Sequence, residues 1–382
     1  MKILFITTTS TTSYAFLMEL ALELVESNNE VEFAFNSDSF MDAPSKLEEI
    51  EGRGFKVHDI KFSRRISLLN DSLAALKLFK LINNNNYDIV HSHTSKAGFI
   101  SRFICKLTNQ YNIHTAHDLY YRAFKKVFKR NFFILLEKFA SYFADKILFV
   151  SEAVLDSAVI EGIAPIQRLF FVSNGIIPKN KFESTNAFSI NESKTPKNDK
   201  FKIVGVVSRL VENKSVDTFI KAAIEIEKKD PNIKFIIIGN GPLLNELKKI
   251  GIDLLKKDRL FFLDNVKTKK ELESIVKTFD AFLFPTIREG LGIVILEAFD
   301  LGIPVITTNL APMNTIVNNN LNGFLCQEKE YKDFAKKTLE VLNNDSLRSR
   351  FILESYKILN AKFNLKQVNK KIIKIYYDSI TK

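Results

Sequence analysis

Tryptophan is absent from this chain, and cysteine occurs only twice in 382 residues, at Cys105 and Cys326. Neither belongs to a C-x-x-C pair and no ladder of histidines accompanies them, which argues against a disulfide scaffold or a zinc site and fits a reducing cytoplasm. No secretory leader is legible, because residues 1–12 hold one lysine and then a threonine-rich run. No apolar run reaches about 18 residues, since 132–150 is broken by Glu137, Lys138, Asp145 and Lys146, so no membrane-crossing helix is expected. The first strand-exit loop, TTSTTSYAF, lacks the glycines of a dinucleotide fingerprint. It reads as a polar loop through Ser13, with a helix from Ala15. No internal repeat is visible.

What is present is an ordinary globular balance, 46% hydrophobic and 26% charged, long enough for two domains with substantial cores. The net charge of +11 asks for an anionic partner, nucleic acid or lipid being the usual candidates. The first 180 or so residues carry only roughly +2 of it. A local cluster stands out there: Arg122, Lys125, Lys126, Lys129 and Arg130, interleaved with Phe124, Phe128, Phe132 and Phe133. That pattern suits a helix in a membrane interface, and equally a helix with its phenylalanines in the core and its lysines in water.

Short apolar runs alternate with helical stretches along the chain. Opening strands at 2–7 and 30–35 are followed by others at 56–60, 88–92, 113–115, 146–150 and 169–172. This implies an α/β fold with a parallel sheet covered on both faces, its ligands at the carboxyl ends of the strands. Residues 179–200 are polar without periodicity and read as a linker, separating a first domain (1–178) from a second (201–364).

The most informative stretch is 284–309, FPTIREGLGIVILEAFDLGIPVITTN. A buried strand at 281–285, a glycine turn and a helix over 292–301 leave free N–H groups at a helix start, where a diphosphate can approach closely. Glu289 falls in the turn beside the phosphates. Glu297 falls on the helix, where a carboxylate can accept from paired hydroxyls such as those of a ribose. Upstream, SRLVENKS places Arg209 and Lys214 at a strand exit, two cations able to converge on one polyanion. Gly239-Asn240-Gly241-Pro242 is a turn that brings backbone near a nucleotide. In the first half, HSHTSKAG sets Ser95 and Lys96 at a helix start, a second anion site. HTAHDLYY follows a strand with His117, which can neutralise or orient a sugar hydroxyl, Asp118 being available to fix its tautomer. Thr268 and Glu271 have the spacing of a capping box.

The 284–309 string resembles the signature of retaining, nucleotide-sugar-dependent transferases of glycosyltransferase family 4. That family shares the GT-B fold, two Rossmann-like doubly wound domains facing a central cleft. The resemblance extends over nearly the whole chain and is strongest over 202–309. It implies that Glu289 contacts the transferred sugar, Glu297 the ribose, and the amides of Gly290, Leu291 and Gly292 the phosphate. The commonest family form has Phe where Leu291 stands. Arg209 and Lys214 match the pair that neutralises the departing diphosphate, although the glycine usual after the lysine is Ser215 here. His117 matches the family's active-site histidine, and the backbone near Val266 its contact to the base. HSHTSKAG, with Phe62, Ser63, Arg64 and Arg65, is similar to the subset that builds bacterial capsule, exopolysaccharide and lipid-linked glycans. In that subset the acceptor is commonly carried on polyprenyl diphosphate, which assigns Ser95, Lys96 and Arg64 to the acceptor side. A terminal helix at about 365–382 is implied to pack back on the first domain, and domain closure is expected to gate turnover.

The expectation is therefore a retaining hexosyltransferase using a nucleotide-sugar, with UDP the first choice, and a saccharide acceptor on a lipid carrier. It is expected to be cytoplasmic and peripheral on the inner membrane face, with Arg122, Lys125, Lys126, Lys129 and Arg130 facing lipid, and not to bind nucleic acid. Its charge stabilisation comes from side chains and amides, and the lack of a D-x-D motif in a suitable loop agrees with no metal and no cofactor. The rival readings are a nucleotide-sugar epimerase of the same architecture and a non-catalytic nucleic-acid or membrane-binding protein.

Overall fold

The computed structural model describes residues 1–37, 44–63, 67–124, 126–179, 201–266 and 268–381. The chain divides into two compact units, Met1–Asn174 with the C-terminal segment from Lys366, and Gly175–Leu365. Residues 175–178 thus group with the second unit rather than the first, and 180–200, read as a linker, lie outside the described residues.

The first unit alternates β1 (Lys2–Thr9), α1 (Ser10–Glu26), β2 (Glu30–Asn36), α2 (Pro44–Gly52), β3 (Lys56–Asp59) and α3 (Leu68–Asn83). It continues with β4 (Ile89–His93), α4 (Ser95–Leu107), β5 (Asn112–Ala116), α5 (Val127–Tyr142), β6 (Lys146–Phe149), α6 (Glu152–Ile160) and β7 (Leu169–Phe171). The second unit holds β8 (Lys202–Val207), α7 (Val216–Glu227), β9 (Ile233–Ile238), α8 (Leu244–Ile250), α9 (Ile252–Lys256), β10 (Leu260–Leu263) and α10 (Lys269–Val276). After these come β11 (Ala281–Phe284), α11 (Ile293–Asp300), β12 (Val305–Thr308), α12 (Met313–Ile316), β13 (Gly323–Cys326), α13 (Tyr331–Leu342) and α14 (Asp345–Lys362). Helix α15 (Leu365–Ile380) closes the chain.

Every ladder between neighbouring strands is parallel. The first sheet runs β3-β2-β1-β4-β5-β6-β7 and the second β10-β9-β8-β11-β12-β13. Counted from its own first strand, each sheet has the order 3-2-1-4-5-6, to which the first adds a seventh strand, and each reverses direction between its first and fourth strands. Loops leaving the carboxyl ends of that strand pair frame the ligand crevice of doubly wound folds. The pairs here are β1/β4 and β8/β11. The strands at these centres are mostly buried, AFLF in β11 being apolar throughout, while β4 (IVHSH) carries buried histidines.

Helix α1 corrects the reading of its loop. It begins at Ser10, directly after β1, because Thr9 accepts from the Thr12 N–H and Thr7 Oγ1 shares a hydrogen bond with the buried Ser13 hydroxyl. The hydroxyl run caps a helix instead of lying in solvent. Helix α15 docks on the first unit, with Asn369 donating to Glu23 (3.0 Å), the Tyr376 hydroxyl against His91 Nδ1 and Lys146 donating to Ser379 (2.8 Å).

Candidate active site

In the second unit the loops leaving β8 and β11 are stitched together. The Asn213 carbonyl accepts from the Ile287 N–H (2.9 Å) and from Thr286 Oγ1 (3.0 Å). The Asn213 amide in turn donates to the Arg288 carbonyl (3.2 Å). This register brings Lys214 to Glu289, residues far apart in sequence, in an ion pair whose side chains are only 11% and 18% exposed. The Phe284 ring lies 5.5 Å from the same ammonium. Arg209, at the start of the β8 loop, is exposed and forms no ion pair among the described residues. A half-buried cation–carboxylate pair at a strand-reversal point, with a second cation free beside the same strand end, is an arrangement ready to receive an anion that carries hydroxyls.

Ser215 takes the backbone a glycine would favour. Its φ is +48°, left-handed, at the head of α7, and its hydroxyl bonds Thr218 Oγ1 (2.9 Å) and Asp217 (3.3 Å). The turn is kept at a steric cost of about 1 kcal/mol, partly offset by those hydroxyl bonds. Gly239 and Gly241 have a reason internal to the unit: a Cβ on either would collide with the carbonyl of Ser208 or Leu210, since the β8 and β9 exit loops lie against each other. Gly292, at φ +90°, heads α11, and Leu291 beside it is buried. Gly290 precedes them on the same half-buried turn. Glu297 lies on α11 about one-third exposed, 3.7 Å from Lys269, and burial raises its carboxyl pKa with Glu273 adding to the effect. Val266 follows β10, the edge strand, and is half-buried. Thr268 caps α10 by accepting from the Glu271 N–H, as its spacing suggests.

The first unit assembles a different kind of site. All five histidines of the chain lie in it, four of them on or just after β4 and β5. Pairing of these strands sets His93 opposite Thr115. His93 Nδ1 then meets His117 Nε2 at 3.2 Å, and Asn174 reaches His117 Nδ1 at 3.3 Å. Phe16 of α1 packs on the same ring, centroids 4.5 Å apart. Asp118, expected to orient His117, instead accepts from the Leu119 N–H and from Arg122. Both nitrogens of His117 are met, Nε2 by His93 and Nδ1 by Asn174. Burial depresses His117 to about 4 and His91 to about 3, and pushes His93 and His114 well below the ordinary value. His117 is therefore neutral at pH 7 and acts as a hydrogen-bonding group, not as a cation.

Lys96 is neither solvated nor free. It donates to both oxygens of Asp71 (2.8 and 3.0 Å) and to Ser63 (3.0 Å), which joins the α4 start to the α3 start and to the FS segment. Burial alone would raise Asp71, but Lys96 and the Ser67 N–H outweigh it and hold it below the usual carboxylate value. Ser95 is exposed at the first turn of α4. Arg64 and Arg65, together with Lys125, lie outside the described residues. Of the cluster read as membrane-facing, Arg122 turns to Asp118, and Arg130 to Glu161 and the Tyr121 ring. Lys126 and Lys129 are exposed. No three His, Cys, Asp or Glu side chains gather as a metal site among the described residues.

Asn213, Thr286, His93 and Asn174 were not legible as site residues. Asn213 sits inside the Arg209–Lys214 phrase, and Asn174 in a strand-end turn before Gly175, but neither spacing announces a partner.

Residues 15–180 match the family described as Glycosyltransferase Family 4, and residues 188–358 the family described as Glycosyl transferases group 1. The chain is 30% identical to the capsular polysaccharide biosynthesis glycosyltransferase CapM of Staphylococcus aureus, covering 80% of this chain and 81% of that protein. It is 27% identical to the UDP-Gal:alpha-D-GlcNAc-diphosphoundecaprenol alpha-1,3-galactosyltransferase of Escherichia coli, over 83% of this chain and 82% of the relative. Among solved structures, Anabaena HepE in complex with UDP and glucose superposes with a TM-score of 0.79 at 18% identity, covering 99% of this chain and 100% of that one.

Proposed function

The chain belongs to glycosyltransferase family 4, with two parallel-sheet α/β units of the GT-B class, and from that premise we propose the reaction it performs. It moves a hexosyl unit, with retained anomeric configuration, from a UDP-sugar to a saccharide carried on polyprenyl diphosphate. The observation that carries this reading is the Lys214–Glu289 pair between the β8 and β11 loops, with Arg209 free beside it. When a nucleoside diphosphate arrives, its phosphates compete for Lys214, and Glu289 is released to accept hydrogen bonds from sugar hydroxyls. As the bond from the anomeric carbon to the diphosphate oxygen breaks, negative charge grows on the leaving group. Lys214, Arg209 and the amides at Gly290–Gly292 are the groups to meet that charge, so no acid is needed to protonate it and no metal to screen it. The acceptor hydroxyl bonds to the same carbon on the same face and passes its proton to the departing phosphate oxygen. Glu297 is assigned to the ribose, Val266 to the base, and neutral His117 to a hydroxyl of the transferred sugar.

UDP is the donor nucleotide favoured by two parallels: the Escherichia coli relative is named for UDP-Gal, and HepE holds UDP. The diphosphoundecaprenol relative supports a lipid-linked acceptor, and the capsule relative a place in surface-polysaccharide assembly. The test is a thermal-shift panel of nucleotide-sugars, followed by transfer from the stabilising donor to a short-chain polyprenyl diphosphate saccharide without added metal. Stabilisation by a UDP-sugar and an anomer matching the donor are the expected results. An inverted product removes the retaining assignment, and a chelator that abolishes turnover removes the metal-free one.

A further inference from the structure

We propose that the first unit seats on an anionic bilayer through an apolar ridge spanning α3, α4 and α5, with exposed lysines along it. The basis is a helix that is apolar on both sides. Inward, α5 buries Ile134 and Ala140. Outward, Phe128, Phe132, Leu135, Phe139 and Tyr142 fall at i, i+4, i+7, i+11 and i+14, one continuous stripe. Phe128 is 85% exposed and Leu135 66%. The remaining flanks of the helix carry Lys129, Arg130, Glu137 and Lys138, so α5 sets one apolar side on the core and exposes a second apolar side bordered by charge.

The stripe does not stop at α5. Phe99 of α4 lies 6.5 Å from Phe139, ring centre to ring centre, and Phe103 lies 5.5 Å from Phe143 just past α5. Helix α3 packs on α4 and exposes Leu69, Leu73 and Leu76. A shallow depression of 330 Å³ on α3 is lined by Leu73 and Leu76 together with Lys77 and Lys80.

Charge selects the occupant. The three helices contain two acids, Asp71 and Glu137, and both are turned onto cations of their own unit, Lys96 and Arg102. The lysines they display, Lys77, Lys80, Lys106, Lys129 and Lys138, with Lys126 at the head of α5, are all exposed. An apolar stripe with lysines beside it and no exposed acid complements anionic headgroups over acyl chains. A second copy of the chain would instead set lysine against lysine. The ridge also explains why Arg122 and Arg130, with their own acid partners, are not what meets the lipid.

Helix α4 links this surface to the acceptor reading, on which this one step rests. Its first turn holds Ser95 and Lys96, and Phe99 follows after roughly 4.5 Å of helix rise. A diphosphate anchored at the bilayer surface would thus meet the helix start while the flank of the same helix lies in lipid.

The experiment is co-sedimentation of the full chain, without donor or acceptor, with vesicles of phosphatidylcholine alone or mixed with phosphatidylglycerol. Binding to the mixed vesicles is expected, weakened by salt, and the triple variant Phe128→Ser/Phe132→Ser/Phe139→Ser should bind at least ~10-fold less, since each loses most of its apolar area. Ile252→Ser, an exposed apolar residue of the second unit, should sediment like the parent. These positions are outside the sugar-transfer residues, so the triple variant should keep its melting temperature and its turnover on a short-chain acceptor. The proposal is overturned if the parent stays in the supernatant, if the triple variant binds as well as the parent, or if light scattering shows a dimer that the triple variant dissociates. A parent that binds vesicles yet transfers no sugar would keep this surface and discard the acceptor reading.

Discussion

The two units share one strand order and opposite site chemistry. At its reversal point the second places a lysine, an arginine and a carboxylate, with no histidine anywhere in the unit. The first places neutral, buried histidine rings there, held by one another and by amide and hydroxyl groups. Their surfaces differ as well: most of the exposed large apolar side chains belong to the first unit, and the second shows few beyond Ile252 and Leu321. The doubly wound fold fixes where a site lies but not what it handles. A charged site suits a leaving diphosphate, whereas a neutral hydrogen-bonding site suits hydroxyls, which a cation would serve less selectively.

The largest test of this contrast is kinetic. Lys214→Ala is expected to lower kcat about 10²–10³-fold, the usual cost of one group that stabilises transition-state charge. Arg209→Ala should fall in the same direction with its urea midpoint unchanged, because the side chain is exposed and has no ion pair among the described residues. His117→Ala, which removes a neutral hydrogen-bonding group, should cost only about tenfold. Wild-type turnover in both cation variants at saturating donor would break the comparison.

Acid sharpens it next. His91, His93 and His114 are buried neutral with folded pKa values below the unfolded 6.5, so the unfolded chain takes up protons first. Their contribution is intact above pH 6.5 and erodes as pH falls below it, for His91 down to about 3. Glu32 adds a lower window. Burial opposes its ionisation, but Tyr87, His58 and Lys2 overcome that and hold it at about 2, so its stabilisation is lost from the unfolded 4.5 downward. Hydrogen exchange followed by mass spectrometry should show first-unit amides losing protection before second-unit amides between pH 6.5 and 4. Simultaneous loss, or the reverse order, counts against the assignment of acid sensitivity to these rings.

The smallest expected effect concerns Ser215. Relief of its left-handed backbone and loss of its two hydroxyl bonds nearly cancel, so Ser215→Gly should change unfolding free energy by no more than about 0.5 kcal/mol. Ser215→Val, β-branched in that conformation, should cost about 2 kcal/mol. Equal values for the two would remove the backbone argument.

Much of the second unit was readable because its signals are local. A proline-closed apolar run gives β11, glycines give the turn, and a Gly-x-Pro stop separates α11 from β12. The Thr268 cap and the bounds of α15 have the same origin. The first helix was misjudged because its Thr and Ser residues are weak helix formers, and only the position of Thr9 after β1 makes them a cap. The partners of His117 were not legible, since Asp118 is its sequence neighbour and His93 its neighbour only through strand pairing. Lys96 was read with Ser95 as an anion site, yet Asp71 comes to it from the helix before β4.

What the sequence determined by itself is the alternation of elements, the glycine turns, the placing of every histidine in the first half and the identity of the cations. These depend on backbone sterics, on side-chain periodicity within a few residues and on composition. Tertiary structure alone decided which charges meet and which apolar faces stay uncovered. Lys214 reaches Glu289 because β8 pairs with β11, and the stripe on α5 stays largely exposed because that helix turns Ile134 and Ala140 inward and leaves Phe128, Phe132, Leu135 and Tyr142 uncovered among the described residues. Such outcomes depend on contacts between residues distant in the chain, which no local pattern encodes.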